Sequence, residues 1–510
     1  MPVEQKKSKL FRNSIVLYVR LIFVTLIKLW ATKVLLKNLG AESFGLYNLL
    51  AGVIAMLAFL KVAMANASQR FLSVSLGKND CSIGDVFYTS CVLHLIVGIL
   101  VLICIIGGGG LMVEYVLNIP PENKGTSLII ILLLSISTFS TILSVPFDSM
   151  MVSKENIPML SIIVLMESVV VLLGAYIIGF YNGNRLLLYC GTIVVGTLVL
   201  FVVRIGLCRF LYTETRFRFR KLNDFGIFKS ILKYVGWNVV SSLMIILRNQ
   251  GFAILFNLGG GVVVNAAYGI ANQVNALFNY CTEAVMQPNR PIIMKAYGAG
   301  DYKATIVAAT FATKMVLLVF SMVFVIIFTN APMILRLWLN QVPDHTVYFC
   351  RVVLVATFLF QFSQGAKTLV ESTGNVKELF AHIGFLHFLT LAFGVGVYLL
   401  SKSLELSVIP MIVEEMIGSL YRIYLMKKYA KVGFFSFIYK CCLKPIAVIF
   451  LMVLLLYKMN GVVSSFTLLV CSILLSAIVV PLLFVFIVLE KQERDIIIGF
   501  LKKKKDAARA

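Results

Sequence analysis

Apolar runs of twenty or more residues recur from one end of the chain to the other, broken by short polar stretches. A run of that length makes a helix able to cross about 30 Å of hydrocarbon. The pattern predicts about fourteen membrane spans, near 14–36, 44–68, 85–106, 126–147, 157–180, 186–208, 231–256, 262–287, 304–329, 348–370, 378–400, 404–426, 434–457 and 462–489. Within this pattern several spans carry cations in mid-run: Arg20, Lys28 and Lys33 in span 1, Lys61 in span 2, Arg248 in span 7 and Lys314 in span 9. A charge at mid-bilayer costs about 2.5–3.5 kcal/mol, so such side chains face water or a partner rather than lipid. The pattern therefore predicts a hydrated, positively charged chamber suited to an anionic substrate.

Composition agrees with the spans. The chain has 510 residues, 60% of them hydrophobic, and a mean hydropathy of +0.94, values outside the range of soluble proteins. The net charge of +23 reads as topology rather than nucleic-acid binding, because Lys and Arg gather in cytoplasmic loops. With the N-terminus inside, the inner loops and tail hold Arg70, Lys78, Lys154, Arg209, Arg216, Arg218, Arg220, Lys221, Lys229, Arg290, Lys295, Lys303, Lys367, Lys377, Lys427, Lys428, Lys431 and Lys502–Lys505. The outer loops hold about one cation each, among them Lys37, Lys124, Arg185, Arg336, Lys402 and Lys458. Both termini are therefore expected on the cytoplasmic side. The basic N-terminus precedes a long apolar run with no cleavage site, and reads as the start of span 1. Arg216-Phe217-Arg218-Phe219-Arg220-Lys221 and the Lys502–Lys505 tail read as headgroup contacts and topology signals.

An internal repeat, about 220 residues apart, divides the chain. Asn38-Leu39-Gly40, Gln69-Arg70 and Gly77-Lys78-Asn79-Asp80 are followed by Asn257-Leu258-Gly259, Asn289-Arg290 and Gly298-Ala299-Gly300-Asp301. Six spans separate the copies, so both halves have the same orientation, a parallel repeat about an axis along the membrane normal. The expected fold is an all-α polytopic membrane protein: an N-lobe of six helices over 1–210, a basic cytoplasmic linker over 211–230, a C-lobe of six helices over 231–430, and two further helices with a basic tail over 431–510.

Helical geometry arranges the cations in tiers. Arg20 and Lys61 fall toward the cytoplasmic side of mid-bilayer, and Lys28 and Arg248 slightly beyond it. Thr32 shares a face with Arg20 and Lys28. Trp237, Ser241 and Arg248 share a face of span 7, with Asn249 beside it. Arg grips a pyrophosphate bidentately and Lys holds it as a point charge. The competing reading is that these side chains snorkel or pair with carboxylates. The intramembrane acids are Glu167, Glu283, Glu414 and Glu415. Glu283, in the span after Arg248, is the candidate for ion coupling, with a structural ion pair as its alternative. Asp148 reads as a cap or loop-orienting residue, Pro288 and Pro291 as the end of span 8, and Gly107–Gly110 as a loop. His94, His345, His382 and His387 have no metal-ligand spacing, no nucleotide loop is present, and the ten cysteines read as small buried residues. No catalytic constellation, metal site or cofactor motif emerges, so the chain reads as a transporter and not an enzyme.

The stretch from Asn13 to Asp80 resembles the opening of bacterial polysaccharide flippases of the MOP superfamily, through Asn13-Ser14-Ile15, Leu39-Gly40, Phe44-Gly45-Leu46-Tyr47-Asn48-Leu49 and Ser68-Gln69-Arg70-Phe71. The nearest match is the O-antigen or capsule repeat-unit flippase, Wzx-like. The resemblance implies a MATE/MOP-like fold whose two lobes alternate between inward- and outward-open states. It implies an undecaprenyl-pyrophosphate-linked oligosaccharide as substrate, a Gram-negative inner membrane, membrane lipids as surroundings, and polysaccharide polymerase and glycosyltransferases as partners. On this reading Arg20, Lys28, Lys61 and Arg248 bind substrate. Na⁺ or H⁺ is the candidate coupling ion. Lipid II flippases share the cationic cavity and remain an alternative, as does a MATE-like cation or drug antiporter.

Overall fold

The structure, a computed structural model, describes residues 3–55, 57–78, 83–117, 119–216, 225–339, 342–430, 433–459, 464–491 and 493–494. No strand occurs among them. The helices are α1 Val3–Ala55, α2 Ala58–Lys78, α3 Ile83–Leu111, α4 Pro121–Ser153, α5 Ile157–Ile177, α6 Arg185–Leu211, α7 Phe225–Gly298, α8 Tyr302–Trp338, α9 Thr346–Gln361, α10 Gln364–Thr373, α11 Val376–Ser401, α12 Leu404–Val408, α13 Pro410–Ala430, α14 Phe434–Ile438, α15 Lys444–Met459 and α16 Ser465–Leu483. Among the described residues ten helices are long and apolar enough to span a membrane, or eleven if α9 and α10, bent by 49°, form one span. The predicted spans near 44–68, 262–287 and 404–426 do not pass that test. Their helices carry polar faces: Lys61, Asn66, Ser68 and Gln69 in α2, Asn265, Asn272, Asn275 and Asn279 in α7, and Glu414, Glu415 and Arg422 in α13. These three are helices whose polar side chains need partners inside protein.

The chain divides into two units, residues 12–239 and residues 1–11 with 240–510. In the first, α4 is the central helix and packs against α2, α3 and α6. Its face is rich in buried serines, including Ser127, Ser135, Ser140, Ser144 and Ser149, so neighbouring helices can approach closely. Gly107–Gly110 prove helical rather than a loop. They form the last turns of α3, where a side chain on Gly109 would meet Ile131 of α4 at 3.2 Å. The core includes Leu35, Leu50, Val101, Ile105, Ile130 and Tyr189, with Tyr47 edge-on to Tyr189 at 5.3 Å.

In the second unit a run of aromatic rings fills the interior. Phe256 lies 4.8 Å from Phe349 and 4.9 Å from Tyr268, Phe278 lies 4.9 Å from Phe320, and Phe324 lies 5.2 Å from Phe358. The C-terminal helices pack on α8. Asn330 donates to Ser472 at 2.8 Å, and Lys314, fully buried, pairs with Glu493 at 2.7 Å. The sequence places Lys314 in a hydrated chamber. The structure instead makes it half of a buried ion pair that holds Glu493 to α8. Pro288 and Pro291 do not end a helix either, because α7 continues to Gly298.

The sequence repeat marks two bends. Gly40 in α1 has φ 77° and ψ 167°, and Gly261 in α7 has φ 74° and ψ −170°. The structural counterpart of Gly40 is thus Gly261, two positions beyond the glycine that string matching selects. Both conformations lie in a region open essentially only to glycine. The Gly40 bend is held by neighbours: Asn38 donates to the Ala175 carbonyl at 2.8 Å, and Arg185 donates to the Asn38 carbonyl at 3.0 Å. At the other end of the second copy, Asp301 caps α8 by accepting from the Ala304 amide at 2.9 Å. A Cβ on Gly40 or Gly261 meets nothing within 4 Å, so substitution there acts through the backbone alone. Gly40→Ala and Gly261→Ala should each cost about 1–3 kcal/mol, read as a lower thermal-unfolding midpoint. Unchanged midpoints would show that the bends are not required.

The connection after α6 is pinned to the connection after α4. Lys154 donates to Glu214 at 2.6 Å, and Asn156 donates to the Tyr212 hydroxyl at 3.1 Å. Partial burial opposes ionisation of Glu214, but the hydrogen bond and charge of Lys154 outweigh it and hold the carboxyl below its ordinary range. A carboxyl depressed in the folded state contributes stability above its unfolded value, about 4.3 for glutamate. That contribution fades as the pH falls from there through the folded value. Amide exchange at Thr213–Thr215, corrected for its intrinsic pH dependence, should therefore accelerate below pH about 4 in the native protein and be pH-insensitive in Lys154→Met. Equal pH profiles for the two proteins would overturn this. Phe217 to Lys221 and Lys502–Lys505, expected at headgroups, lie outside the described residues.

Candidate functional site

Five helices of the first unit bring charges within reach of one another around the buried Arg204. Arg204 of α6 is buried and forks between two acids: Nε donates to Asp148 Oδ1 of α4 at 2.8 Å, and Nη2 donates to Glu167 Oε1 of α5 at 2.6 Å. Asp148 is therefore an ion-pair partner of Arg204 and not a loop cap. Arg20 of α1, half-buried, lies within electrostatic reach of both Asp148 and Glu167. Lys61 of α2 lies within reach of Asp148. The shared depth expected for Arg20 and Lys61 thus corresponds to a shared acidic neighbour. Lys28 stands two turns along α1 from Arg20, about 12 Å at 1.5 Å per residue. It is exposed, and its side chain makes no hydrogen bond or ion pair among the described residues. Thr32 is also exposed and donates to the Lys28 carbonyl at 2.9 Å. Lys33 sits 5.7 Å from the Trp30 ring. Arg20, Lys61 and Arg204 gather at Asp148 and Glu167, three cations to two carboxylates, and Lys28, two turns further along α1, adds a fourth, a surplus of two positive charges.

The second unit has a different balance. Arg248 of α7 donates through Nη1 to both oxygens of Glu414 in α13 at 2.8 Å, and lies 3.9 Å from Glu415. His387 of α11 closes on the same Glu414 carboxylate and lies 3.2 Å from Arg248. Asn249 accepts from the Arg248 guanidinium at 3.3 Å. Arg422 of α13 reaches Glu415 at 3.5 Å and lies 4.7 Å from the Phe360 ring. Two arginines and two glutamates balance, so this buried cluster holds no surplus cation. Ser241 is buried where α7 meets Gly384 of α11, and Trp237 is half-buried in α7. Glu283, exposed on α7, pairs with Arg290 at 2.6 Å, and Lys367 and Glu371 are the next charges along.

Arg204, His387, Glu414, Glu415 and Arg422 escaped the sequence reading as site residues. Arg204 sits near the cytoplasmic end of its predicted span, where a cation reads as a flank. Its signal was the pair of acids, Asp148 and Glu167, on two adjoining spans that carry no cation of their own. For His387 the signal was a lone polar ring within an apolar run.

The fold that carries these residues is one already known among transporters. The structure is similar to MATE in the straight conformation, with TM-score 0.72 and 15% identity over 84% of this chain and 96% of that one. It is similar to MATE in the bent conformation, with TM-score 0.73 and 15% identity over 85% of this chain and 100% of the other. It also matches a MOP superfamily transporter from Pyrococcus furiosus Vc1, described as having a binding pocket of reverse polarity that suggests a different function, with TM-score 0.72 and 14% identity over 84% and 96% of the two chains. The chain is thus a multi-pass membrane protein with the fold of MOP superfamily transporters. By sequence it is 20% identical over 289 residues to the uncharacterized membrane protein EpsK of Bacillus subtilis, spanning 57% of each chain. No protein-family model matches it.

Proposed function

We propose that this protein is a flippase that moves an undecaprenyl-pyrophosphate-linked oligosaccharide, the repeat unit of an O-antigen, capsule or exopolysaccharide, from the cytoplasmic to the periplasmic leaflet of a bacterial inner membrane by alternating access. The observation that carries this reading is the charge surplus in the first unit. A pyrophosphate diester bears two negative charges, and Arg20, Lys28, Lys61 and Arg204 exceed Asp148 and Glu167 by two. The transporter fold supports a translocation role. Arg20 and Lys61 capture the head on the cytoplasmic side and pass it outward to Lys28. Arg248 can take phosphate only by exchanging it for Glu414, so in this scheme it acts late and reversibly. Thr32 and Asn249 offer neutral hydrogen bonds beside these cations. With both termini cytoplasmic and the cell interior negative, each charge exported through 100 mV gains about 2.3 kcal/mol. The potential alone can then drive two charges outward, and Na⁺ or H⁺ coupling through Glu283 would add to it.

The test is movement of a fluorescent polyprenyl-pyrophosphate oligosaccharide in proteoliposomes. An inside-negative potential should accelerate transfer from the inner to the outer leaflet. Folded protein that moves no lipid-linked sugar but exchanges small cations would replace this reading with the antiporter, and the acids, Glu283 first, would become the site. Preferential movement of a peptidoglycan precursor would select the lipid II alternative.

A further inference from the structure

A cavity-forming region lies in the first unit, at the end where α3 joins α4 and α5 joins α6. A cavity of about 260 Å³ opens there beside the Gly40 bend of α1. Ser43, just past the bend, faces Asn123 and Thr126 in the first turns of α4 and Asn184 at the start of α6, and Leu46 and Pro120 supply apolar wall. The backbone bend at Gly40 and the Pro120-Pro121 start of α4 bring these segments together.

The polar side chains here differ from most hydroxyls along α4. Along α4 the hydroxyls of Ser127, Ser135, Thr138, Thr141 and Ser144 turn back onto carbonyls of their own helix, at 2.7–2.9 Å. Thr126 does not, and neither Ser43 nor Asn123 makes a side-chain hydrogen bond among the described residues. Asn184 spends its carbonyl oxygen capping α6, where it accepts from the Leu187 amide at 3.1 Å, and its amide NH₂ remains open. Two hydroxyls and two amides therefore present donors and acceptors to one space. Among the described residues no ionisable side chain lines it. The nearby cations are engaged elsewhere: Lys124 with the Glu114 carbonyl at 3.1 Å, and Arg185 with the Tyr181 and Asn38 carbonyls.

From this geometry we infer that the cavity is a subsite for a neutral sugar ring. A hexose carries hydroxyls that each donate and accept, together with an apolar C–H face, and the wall offers the complement to both. The volume falls just below the range of about 300–1,000 Å³ typical of drug-sized ligands, which suits one ring rather than an oligosaccharide. With the N-terminus cytoplasmic this end faces out, where the leading sugar of a translocated glycan would emerge. That place in transport rests on the flippase reading, whereas the sugar binding itself does not.

The test uses the full chain in lipid nanodiscs and saturation-transfer NMR with glucose, galactose, rhamnose and N-acetylglucosamine, with glycerol and inorganic pyrophosphate as controls. At least one sugar should receive saturation through its C–H protons. Asn123→Leu/Thr126→Val, and separately Ser43→Ala, should weaken binding, the double variant by about tenfold or more, given two lost hydrogen bonds, with unchanged unfolding midpoints. The inference is overturned if no sugar exceeds glycerol, if the folded double variant binds equally well, or if pyrophosphate competes for the same site. If sugar binds and proteoliposomes show no flipping, the flippase reading alone falls. If flipping occurs and no sugar binds, only this inference falls.

Discussion

Arg204→Met should destabilise the first unit more than any other single substitution in its charge cluster, by about 3–5 kcal/mol, the cost of removing one partner from a buried ion pair. Arg204 keeps 4% of its side-chain surface, whereas Asp148 keeps 26% and Glu167 36%. Removing the arginine leaves two carboxylates with Arg20 and Lys61 as their remaining counter-charges. The partial exposure of Glu167 puts the expected loss toward the lower figure, because solvent screens what remains. The comparison that decides the origin of the effect is the triple variant Arg204→Met/Asp148→Asn/Glu167→Gln. If the penalty comes from stranded charge, the triple variant recovers most of the stability, since replacing a whole buried ionic group is often neutral. If single and triple variants unfold at the same midpoint, Arg204 acts through packing of its stem, and the cluster is not an electrostatic unit.

How far the sequence disclosed this arrangement depends on the kind of signal. Apolar length was legible because hydrocarbon thickness imposes it, and α3, α5, α6, α8 and α11 are found where long runs predict spans. The repeat was legible as a string, and it marks the positive-φ bends, yet it selected Gly259 where the backbone bends at Gly261. Three glycines in a row offer the same letter, and only the conformation distinguishes them. Mid-span cations were legible one at a time, but their partners were not. Lys314 and Lys28 look alike in sequence. One is fully buried against Glu493, 179 residues away, and the other has no side-chain ion pair among the described residues. Helix periodicity gives the face of a residue and not what lies across from that face. The same limit hid Arg248–Glu414–His387, drawn from α7, α13 and α11.

That difference between the two clusters makes the largest functional prediction. Lys28→Gln/Lys61→Gln should reduce flipping of a polyprenyl-pyrophosphate oligosaccharide by about 10²-fold or more while leaving the unfolding midpoint nearly unchanged. Each lost charge-assisted hydrogen bond to phosphate is worth about 1.5–3 kcal/mol, and among the described residues neither lysine makes an ion pair within contact distance. Arg248→Gln is the contrasting case. It removes a charge from a balanced cluster and leaves two glutamates with Arg422 and His387 as their remaining partners, so it should lower stability and transport together, and Arg248→Gln/Glu414→Gln should restore the former. The lysine variants thus separate substrate charge from structural charge. Wild-type transport in the folded Lys28→Gln/Lys61→Gln protein would mean that the surplus positive charge of the first unit does not bind the pyrophosphate. Loss of transport that an increased inside-negative potential fails to recover in part would mean that the lysines gate the path rather than bind the head, because a potential acts on the moving charge and leaves a closed gate closed.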